Sequence, residues 1–328
     1  MRLWLVLFGV FGLLIVIGLV AVQREPAAVA VVESGDADHS AIDIPPGHGY
    51  GGAGFGRQLD ISPDGTQIIY VGSDLANHRL YRRVLGQSTA TPIAGTEGAG
   101  EPVFSPDGSS VAFYADRSLK LATLDGSSIS VIATVNRPRG IAWLDEDTLI
   151  LGNVAGHLIH VSISRGDPTV YAAEGPQLPH LAPNVLPGGK AILFTAARNS
   201  LLNARVSLFI PATGEQRELL DENGFAARYV PTGHIVFARG AERALMAARF
   251  DLKTLTISGP EQRVVETPLG GQGTGGSTDY SFSSNGTLLY RPRKTEEIDD
   301  ILASMANLDL TKLYLRLSWF EELKRRIP

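Results

Sequence analysis

The feature of this 328-residue sequence that most constrains its fold is a short motif that returns along most of the chain. It reads LDISPDGTQIIYV at residues 59–71 and PVFSPDGSSVAFY at residues 102–114. Four weaker copies follow, near residues 141, 184, 228 and 280, and equivalent turn positions are 39 to 53 residues apart. Each copy is a turn followed by an apolar strand, and each interval has room for two further strands. The chain is therefore predicted to repeat a four-stranded antiparallel unit.

The SPDG turn has a physical basis at each of its positions. Proline fixes φ at the first corner, aspartate bonds nearby backbone N–H groups, and glycine accepts the positive φ that follows. The residues in these positions are Pro63, Asp64, Gly65, Pro106, Asp107 and Gly108. We interpret the aspartates as turn residues, with a ligand or catalytic carboxylate as the less favoured alternative.

A repeat of about 40–45 residues with four strands is typical of a β-propeller blade. The sequence thus predicts an all-β fold, a β-propeller of five to six four-stranded blades. Its 36 glycines and 19 prolines fit many short strands joined by tight turns. Five repeats have all four strands, but the sixth shows only its first hairpin, so the ring needs further strands to close. AIDI (41–44) or KLYLRLSW (312–319) is expected to supply them.

Residues 3–22 form an uncharged apolar run of a length that spans the hydrocarbon core of a bilayer as a helix. We expect an uncleaved transmembrane anchor, with the remainder of the chain outside the cytoplasm. A cleaved signal ending near Ala28-Val29-Ala30 and a buried core helix are the alternatives.

The predicted organisation has four parts. They are a signal-anchor helix (1–25), a linker (26–54), the β-propeller (55–290) and a tail (291–328). The tail is predicted to contain a helix at about 295–307, a closing strand at about 312–318 and a short helix at 319–326.

The SPDG hairpins with strands such as IIYV and VAFY resemble the WD-like repeats of TolB-type β-propellers. The chain more closely resembles the extracytoplasmic propellers of bacterial membrane serine/threonine protein kinases. That resemblance rests on Ile44-Pro45-Pro46-Gly47, on residues 80–108 and on the final WFEELKRRIP. It covers residues 42–290 and the last ten, and it implies a single-pass protein of the cell inner membrane with a periplasmic propeller. No kinase motif is present, and residues 291–311 do not resemble a blade.

Composition and motifs exclude several kinds of chemistry. The chain has no cysteine, so disulfides, thiolate zinc sites and cysteine nucleophiles are excluded. A net charge of −5 disfavours nucleic acid as a partner. The sequence also contains no nucleophile elbow, zinc-protease motif, Walker loop or EF-hand loop. We therefore predict no enzyme activity, no metal site and no cofactor.

One column of residues is a candidate binding site. Five positions before the proline position of each hairpin, and six before it in the third, stand Gln58, Glu101, Arg139, Ala182, Ala226 and Asp279. This register begins the innermost strand of each blade, near one mouth of the central channel, where propellers commonly bind ligands. The four polar members, Gln58, Glu101, Arg139 and Asp279, are the predicted binding residues, and solvated strand ends are the alternative.

Together these features predict a membrane-anchored, non-catalytic interaction or sensing module. Its partner is an unknown protein, peptide or envelope polymer. The rival hypotheses are a metal-assisted propeller hydrolase, with Glu101 and Asp279 as ligands or bases, and a truncated fragment of a kinase-linked propeller. Ala182 and Ala226 in the same column count against the hydrolase.

Overall fold

A computed structural model describes residues 39–44, 49–50, 56–74, 77–171, 178–198, 200–240, 243–265, 269–270, 278–292 and 312–327. The predicted transmembrane segment (3–22), the alternative cleavage site and the predicted helix at 295–307 lie outside these residues. Within them, no helix has both the length and the apolar character needed to cross a membrane. The membrane anchor accordingly stays a prediction.

The described residues form twenty-five strands and one α-helix. The strands of the first half are β1 (His39–Asp43), β2 (Gly49–Tyr50), β3 (Leu59–Ile61), β4 (Gln67–Asp74), β5 (Asn77–Val84), β6 (Thr91–Pro92), β7 (Gly100–Phe104), β8 (Ser110–Ala115), β9 (Ser118–Thr123), β10 (Ile129–Thr134), β11 (Ile141–Trp143), β12 (Thr148–Gly152), β13 (Leu158–Ser162) and β14 (Pro168–Val170). The strands of the second half are β15 (His180–Val185), β16 (Ile192–Arg198), β17 (Ser200–Ile210), β18 (Glu215–Glu218), β19 (Phe225–Val230), β20 (His234–Arg239), β21 (Ala244–Asp251), β22 (Thr256–Val265), β23 (Tyr280–Phe282), β24 (Leu288–Tyr290) and β25 (Lys312–Arg316). The helix is α1 (Trp319–Arg326).

The strands form six antiparallel sheets, which are the six blades of a β-propeller. The first five blades are consecutive in the chain and take β3–β6, β7–β10, β11–β14, β15–β18 and β19–β22, with β2 added beside β4 in the first. The innermost strands of successive blades contact each other, from β3 to β7, β11, β15 and β19, and β23 contacts β3. The predicted all-β propeller of four-stranded blades is confirmed, and the blade number is six.

The sixth blade joins the two ends of the described chain. Its strand order is β23, β24, β25, β1, so the outermost strand comes from the N-terminal side. The register pairs Ile42 with Leu313 and Leu289 with Leu315, and all four side chains are buried. The sequence offered residues 41–44 and 312–319 as closing strands, and the ring uses both in the same blade.

The hydrophobic core is divided among the six interfaces between neighbouring blades. The interface of the first two blades, for example, packs Ile69 and Leu80 against Val111 and Phe113. A similar cluster lies at each of the other five interfaces. Each sheet thus buries its apolar faces only through its neighbours, as the repeat predicts.

Helix α1 covers the edge of the fifth and sixth blades. Trp319, Phe320 and Leu323 are buried there, and the rings of Trp319 and Phe282 stack at 5.0 Å. The Nε2 atom of His234 lies 2.9 Å from the carbonyl oxygen of Ile327, at the end of the helix. The short C-terminal helix is therefore part of the folded unit.

The SPDG segments form tight turns with the bonds that their sequence suggests. Oδ1 of Asp107 accepts hydrogen bonds from Ser105 Oγ (2.5 Å) and Ser109 N (3.0 Å). These bonds lower the pKa of Asp107 to about 2. Pro63 and Pro106 precede the two aspartates in these turns, and Asp64 makes the same bonds to Ser62 and Thr66. Gly65 and Gly108 adopt φ values of 73° and 72°.

A leucine pair tests how much the closing blade contributes to stability. Leu313 is fully buried in β25, whereas Leu317, four residues later, is 42% exposed. Leu313→Ala is expected to lower the free energy of unfolding by about 2–5 kcal/mol, because it leaves a cavity in the closing seam. Leu317→Ala is expected to change it by less than about 0.5 kcal/mol. Equal losses in denaturant titrations would show that ring closure does not depend on this seam.

Candidate functional site

The four predicted binding residues lie at one mouth of the ring and form two pairs, which the consecutive residues Arg57 and Gln58 connect. Gln58, Glu101 and Asp279 are buried, at 0%, 6% and 0% exposed, and Arg139 is half-buried. They are therefore not solvated strand ends. Gln58 and Asp279 contact each other across the sixth and first blades, whereas Glu101 and Arg139 lie together at the second and third.

Asp279 is the centre of a buried polar joint. Its Oδ1 accepts a hydrogen bond from Gln58 N (3.2 Å), and its Oδ2 accepts from Nε (3.0 Å) and Nη2 (2.9 Å) of Arg291. The side-chain Nε2 of Gln58 donates to the carbonyl oxygen of Gly56 (3.1 Å). Because both oxygens of Asp279 are engaged by protein donors, this group serves to join the last blade to the first.

Glu101 is less completely satisfied. Its Oε2 accepts one hydrogen bond from Arg57 N (3.2 Å), and its Oε1 has no hydrogen-bond partner among the described residues. Burial raises the pKa of Glu101 to about 8, although Arg57, Arg139 and the backbone of Gly140 oppose the rise. A buried carboxyl with a raised pKa and an unused oxygen is a typical feature of a functional site.

A second polar position, two residues after the predicted column, was missed by the sequence reasoning. Asp60 accepts hydrogen bonds from Ser281 Oγ in the sixth blade and from Phe104 N (2.9 Å) in the second. Asn184 at the same register accepts from Tyr229 N (3.0 Å) in the next blade. In the first blade the period of two along the strand would have placed Asp60 on the same face as Gln58.

The innermost strands are interrupted where the column lies. The strand pairing shifts register between Gly100 and Val103, with matching shifts in the fourth and fifth blades. At these shifts Glu101, Ala182 and Ala226 adopt φ values of 57°, 50° and 53°. A bulge takes its residue out of the regular ladder and redirects its side chain. Simple alternation along the strand therefore does not describe how Glu101 is placed.

Two cavities meet at Glu101. The smaller, of about 30 Å³, lies toward the centre of the ring and is also lined by Arg57, Ala182, Ala226 and Thr278. The larger, of about 260 Å³, opens between the loops of the first three blades. Besides Glu101, its polar and aromatic lining consists of His78, Tyr114, Asp116, Arg117, Arg137 and Arg139. We call this larger space the mouth cavity.

The mouth cavity is cationic, although the protein carries a net charge of −5. Asp116 is engaged by Lys120, whose Nζ lies 2.7 Å from Oδ2. Arg117 and Arg137 are exposed, and neither guanidinium has a hydrogen-bond or ion-pair partner in the described part of the chain. Burial lowers the pKa of Arg139, as does the charge of nearby Arg137, although Glu101 opposes both. The arginines of the mouth cavity were not identified from the sequence, apart from Arg139.

Backbone strain is concentrated around the same cavity. Nine described residues other than glycine have positive φ, and four of them line the mouth cavity. They are Glu101 (57°), Asp116 (51°), Arg117 (60°) and Arg137 (39°). Asp116 and Arg117 form the two-residue hairpin turn between β8 and β9, where Asn-Gly is the favoured pair. Strain of this kind is characteristic of binding sites.

The geometry does not support the metal-binding role that the rival hypothesis gives to Glu101 and Asp279. Among the described residues, no three His, Asp or Glu side chains are grouped closely enough to hold one metal ion. Asp279 is bonded to an arginine, and the bonded oxygen of Glu101 faces a backbone N–H. The donors around Asp279 suit a polar joint between blades rather than a cation site.

Comparison with known proteins was made at the level of family, sequence and structure. No protein-family model and no curated protein matches the sequence. A putative TolB from Agrobacterium tumefaciens has a similar structure, at 17% identity and a TM-score of 0.53, over 70% of this chain and 86% of that one. An oligogalacturonate lyase from Vibrio parahaemolyticus is similar at 15% identity and a TM-score of 0.58, over 82% and 78% of the two chains. An oligogalacturonate lyase in complex with manganese is similar at 14% identity and a TM-score of 0.52, over 88% and 95%.

These likenesses are to the fold alone, since all three identities are below one in five. The chain is a six-bladed β-propeller, and its likeness to these structures supports that fold class. The narrower resemblance to kinase-linked extracytoplasmic propellers is not shown by these structures and stays a prediction. One fold here accommodates a lyase and a TolB, so function has to be argued from the site.

The pH dependence of stability tests the environment of Glu101. An unfolded glutamate has a pKa near 4.3, and the folded value is about 8. The folded protein retains a proton that the unfolded chain releases, so stability falls as pH rises through this window and levels off above it. The difference in melting temperature between Glu101→Gln and the parent protein is expected to shift in favour of the variant as pH increases from 5 to 9. Glu146→Gln, in an exposed turn, is the control for losing one carboxylate. Parallel curves for Glu101→Gln and the parent would contradict the prediction.

The strained hairpin turn gives a second test. Glycine adopts the backbone conformation of Arg117 without a Cβ clash, whereas alanine does not. Arg117→Gly is therefore expected to raise the free energy of unfolding by about 1 kcal/mol, measured by denaturant titration. Arg117→Ala removes the same charge but keeps the strain, so it serves as the matched control. Equal effects of the two substitutions would mean that the turn is not strained.

Proposed function

We propose that this chain is a non-catalytic recognition module, in which the six-bladed propeller binds a partner at the mouth cavity. The observation that carries the proposal is Glu101. It is a buried carboxyl with an unused oxygen, on the wall of an open cavity where loops of three blades converge. Loops placed by a rigid scaffold are the usual binding elements of such folds.

The bonding of the carboxylates supports a binding role over a catalytic one. Asp60 and Asp279 are held by serine, arginine and backbone donors that connect neighbouring blades. Side chains fixed in this way are poor candidates for proton transfer or metal ligation. The hydrolase alternative would require both Glu101 and Asp279 to act at one centre, and both oxygens of Asp279 are already engaged by Gln58 and Arg291.

The cellular setting is part of the same proposal. The apolar segment at residues 3–22 and the resemblance to kinase-linked propellers support an anchor in the inner membrane with the propeller on the periplasmic side. The closed ring supports a propeller that folds as one unit, because β1 and β23–β25 form one blade. The partner would be a protein, a peptide or an envelope polymer.

Site-specific photo-crosslinking in native membranes tests the binding site. A benzoylphenylalanine replaces Tyr114, a half-buried aromatic residue that lines the mouth cavity. The matched position is Val170, which is 50% exposed on the outer strand β14. We expect a discrete crosslinked species from position 114 that position 170 does not give. The same species from both positions, or none from position 114 in a protein that melts cooperatively, would overturn the proposal.

A further inference from the structure

We infer that the mouth cavity binds a carboxylate, held by the guanidinium groups of Arg117 and Arg137 together with Arg139. This inference rests on the proposed function and adds the chemical class of the ligand. The two exposed arginines are placed on separate loops, the β8–β9 turn and the segment that leads into β11, and both line the same space.

The charge distribution is the first argument. Arg117 and Arg137 have no ion-pair partner among the described residues, and the one exposed acid of the cavity, Asp116, is engaged by Lys120. Arg137 lies close enough to Arg139 for their charges to repel. The unpaired charges of Arg117 and Arg137 beside a concave space in an acidic protein raise the local concentration of anions. An anion is therefore the ligand that relieves the repulsion.

The strained backbone is the second argument. Arg117 occupies a turn position where glycine is favoured, and Arg137 also has a positive φ. Arg117 and Arg137 thus place long cationic side chains at positions where the backbone conformation favours glycine. A structural role does not account for them, since neither guanidinium bonds to the described protein. Placement toward a ligand does account for them.

The backbone at the cavity favours a carboxylate over a phosphate. Phosphate sites in proteins commonly use a cradle of free backbone N–H groups. Here the N–H of Gly98 donates to the carbonyl of His78 (2.8 Å), and that of Ala99 donates to Thr96 (3.1 Å). These two N–H groups are therefore not free to bind an anion. The guanidinium groups of the cavity each present a planar pair of N–H groups, which matches the two oxygens of a carboxylate.

The size of the cavity limits the kind of molecule that can present a carboxylate to the arginines. A volume of about 260 Å³ lies just below the range of roughly 300–1,000 Å³ for ligand pockets. This space accommodates a small organic acid or one acidic side chain of a peptide. Both present the same group to the arginines, and an experiment with two probes separates these sources.

Calorimetric titration of the purified full chain tests the inference. The probes are citrate and a blocked tetraglutamate peptide, with tetraglutamine peptide and inorganic phosphate as controls. We expect one or both carboxylate probes to bind, and Arg137→Gln to weaken that binding by about tenfold or more. The matched control is Arg165→Gln, an exposed arginine in the turn between β13 and β14, which should leave affinity unchanged.

Binding of citrate alone would identify a free acid as the source, and binding of the peptide alone would identify an acidic side chain. Arg117→Gly adds a second readout, since it should weaken binding while raising the melting temperature. A variant damaged in its fold would lose both. The inference fails if neither carboxylate binds, if phosphate binds as tightly, or if Arg137→Gln has no effect. A partner crosslinked at position 114 together with such a failure would leave the proposed function standing and remove only the carboxylate.

Discussion

Burial of the sheet faces between neighbouring blades is the constraint on which the whole molecule depends. No sheet has a core of its own, because each of the six hydrophobic clusters is shared by two blades. An open row of six sheets would leave two apolar faces in water. The pairing of β1 with β25 completes the sixth blade. It therefore stabilises the whole ring as well as that blade.

The architecture was readable from the sequence because the propeller repeats its local chemistry. Pro63, Asp64 and Gly65 specify a turn by themselves, and the spacing of such turns specifies the blade. Glu101 could be found for the same reason, since its register follows from the turn, whereas Gly140 and not Arg139 occupies that register in the third blade. Arg117 and Arg137 could not be found, because they belong to different loops that meet only when β9 pairs with β10. The bulge at Glu101 was equally invisible, as it depends on pairing with β8.

The inner end of the ring contains two kinds of polar group that serve different purposes. Asp279 and Asp60 use their oxygens to connect neighbouring blades, so their polarity is consumed by the fold. Around the mouth cavity the opposite holds, because one oxygen of Glu101 and the guanidinium groups of Arg117 and Arg137 have no partner among the described residues. The buried carboxyl of Glu101 and the left-handed backbone at Arg117 and Arg137 lower the stability of the fold. Costs of this kind are typical of residues that serve recognition.

The order of strands in the sixth blade has a consequence for biosynthesis. The register pairs His39 with Arg316. During synthesis, β1 therefore cannot pair until β25, the last strand, has been made. At about 5–20 residues per second, this wait lasts on the order of 14–55 s. During that time the nascent chain exposes an unpaired strand edge and two apolar sheet faces, which are hazards for aggregation. The propeller can therefore close only when synthesis of the chain is nearly complete. Until β25 has been made, it is expected to depend on chaperones that protect the unfinished sheets.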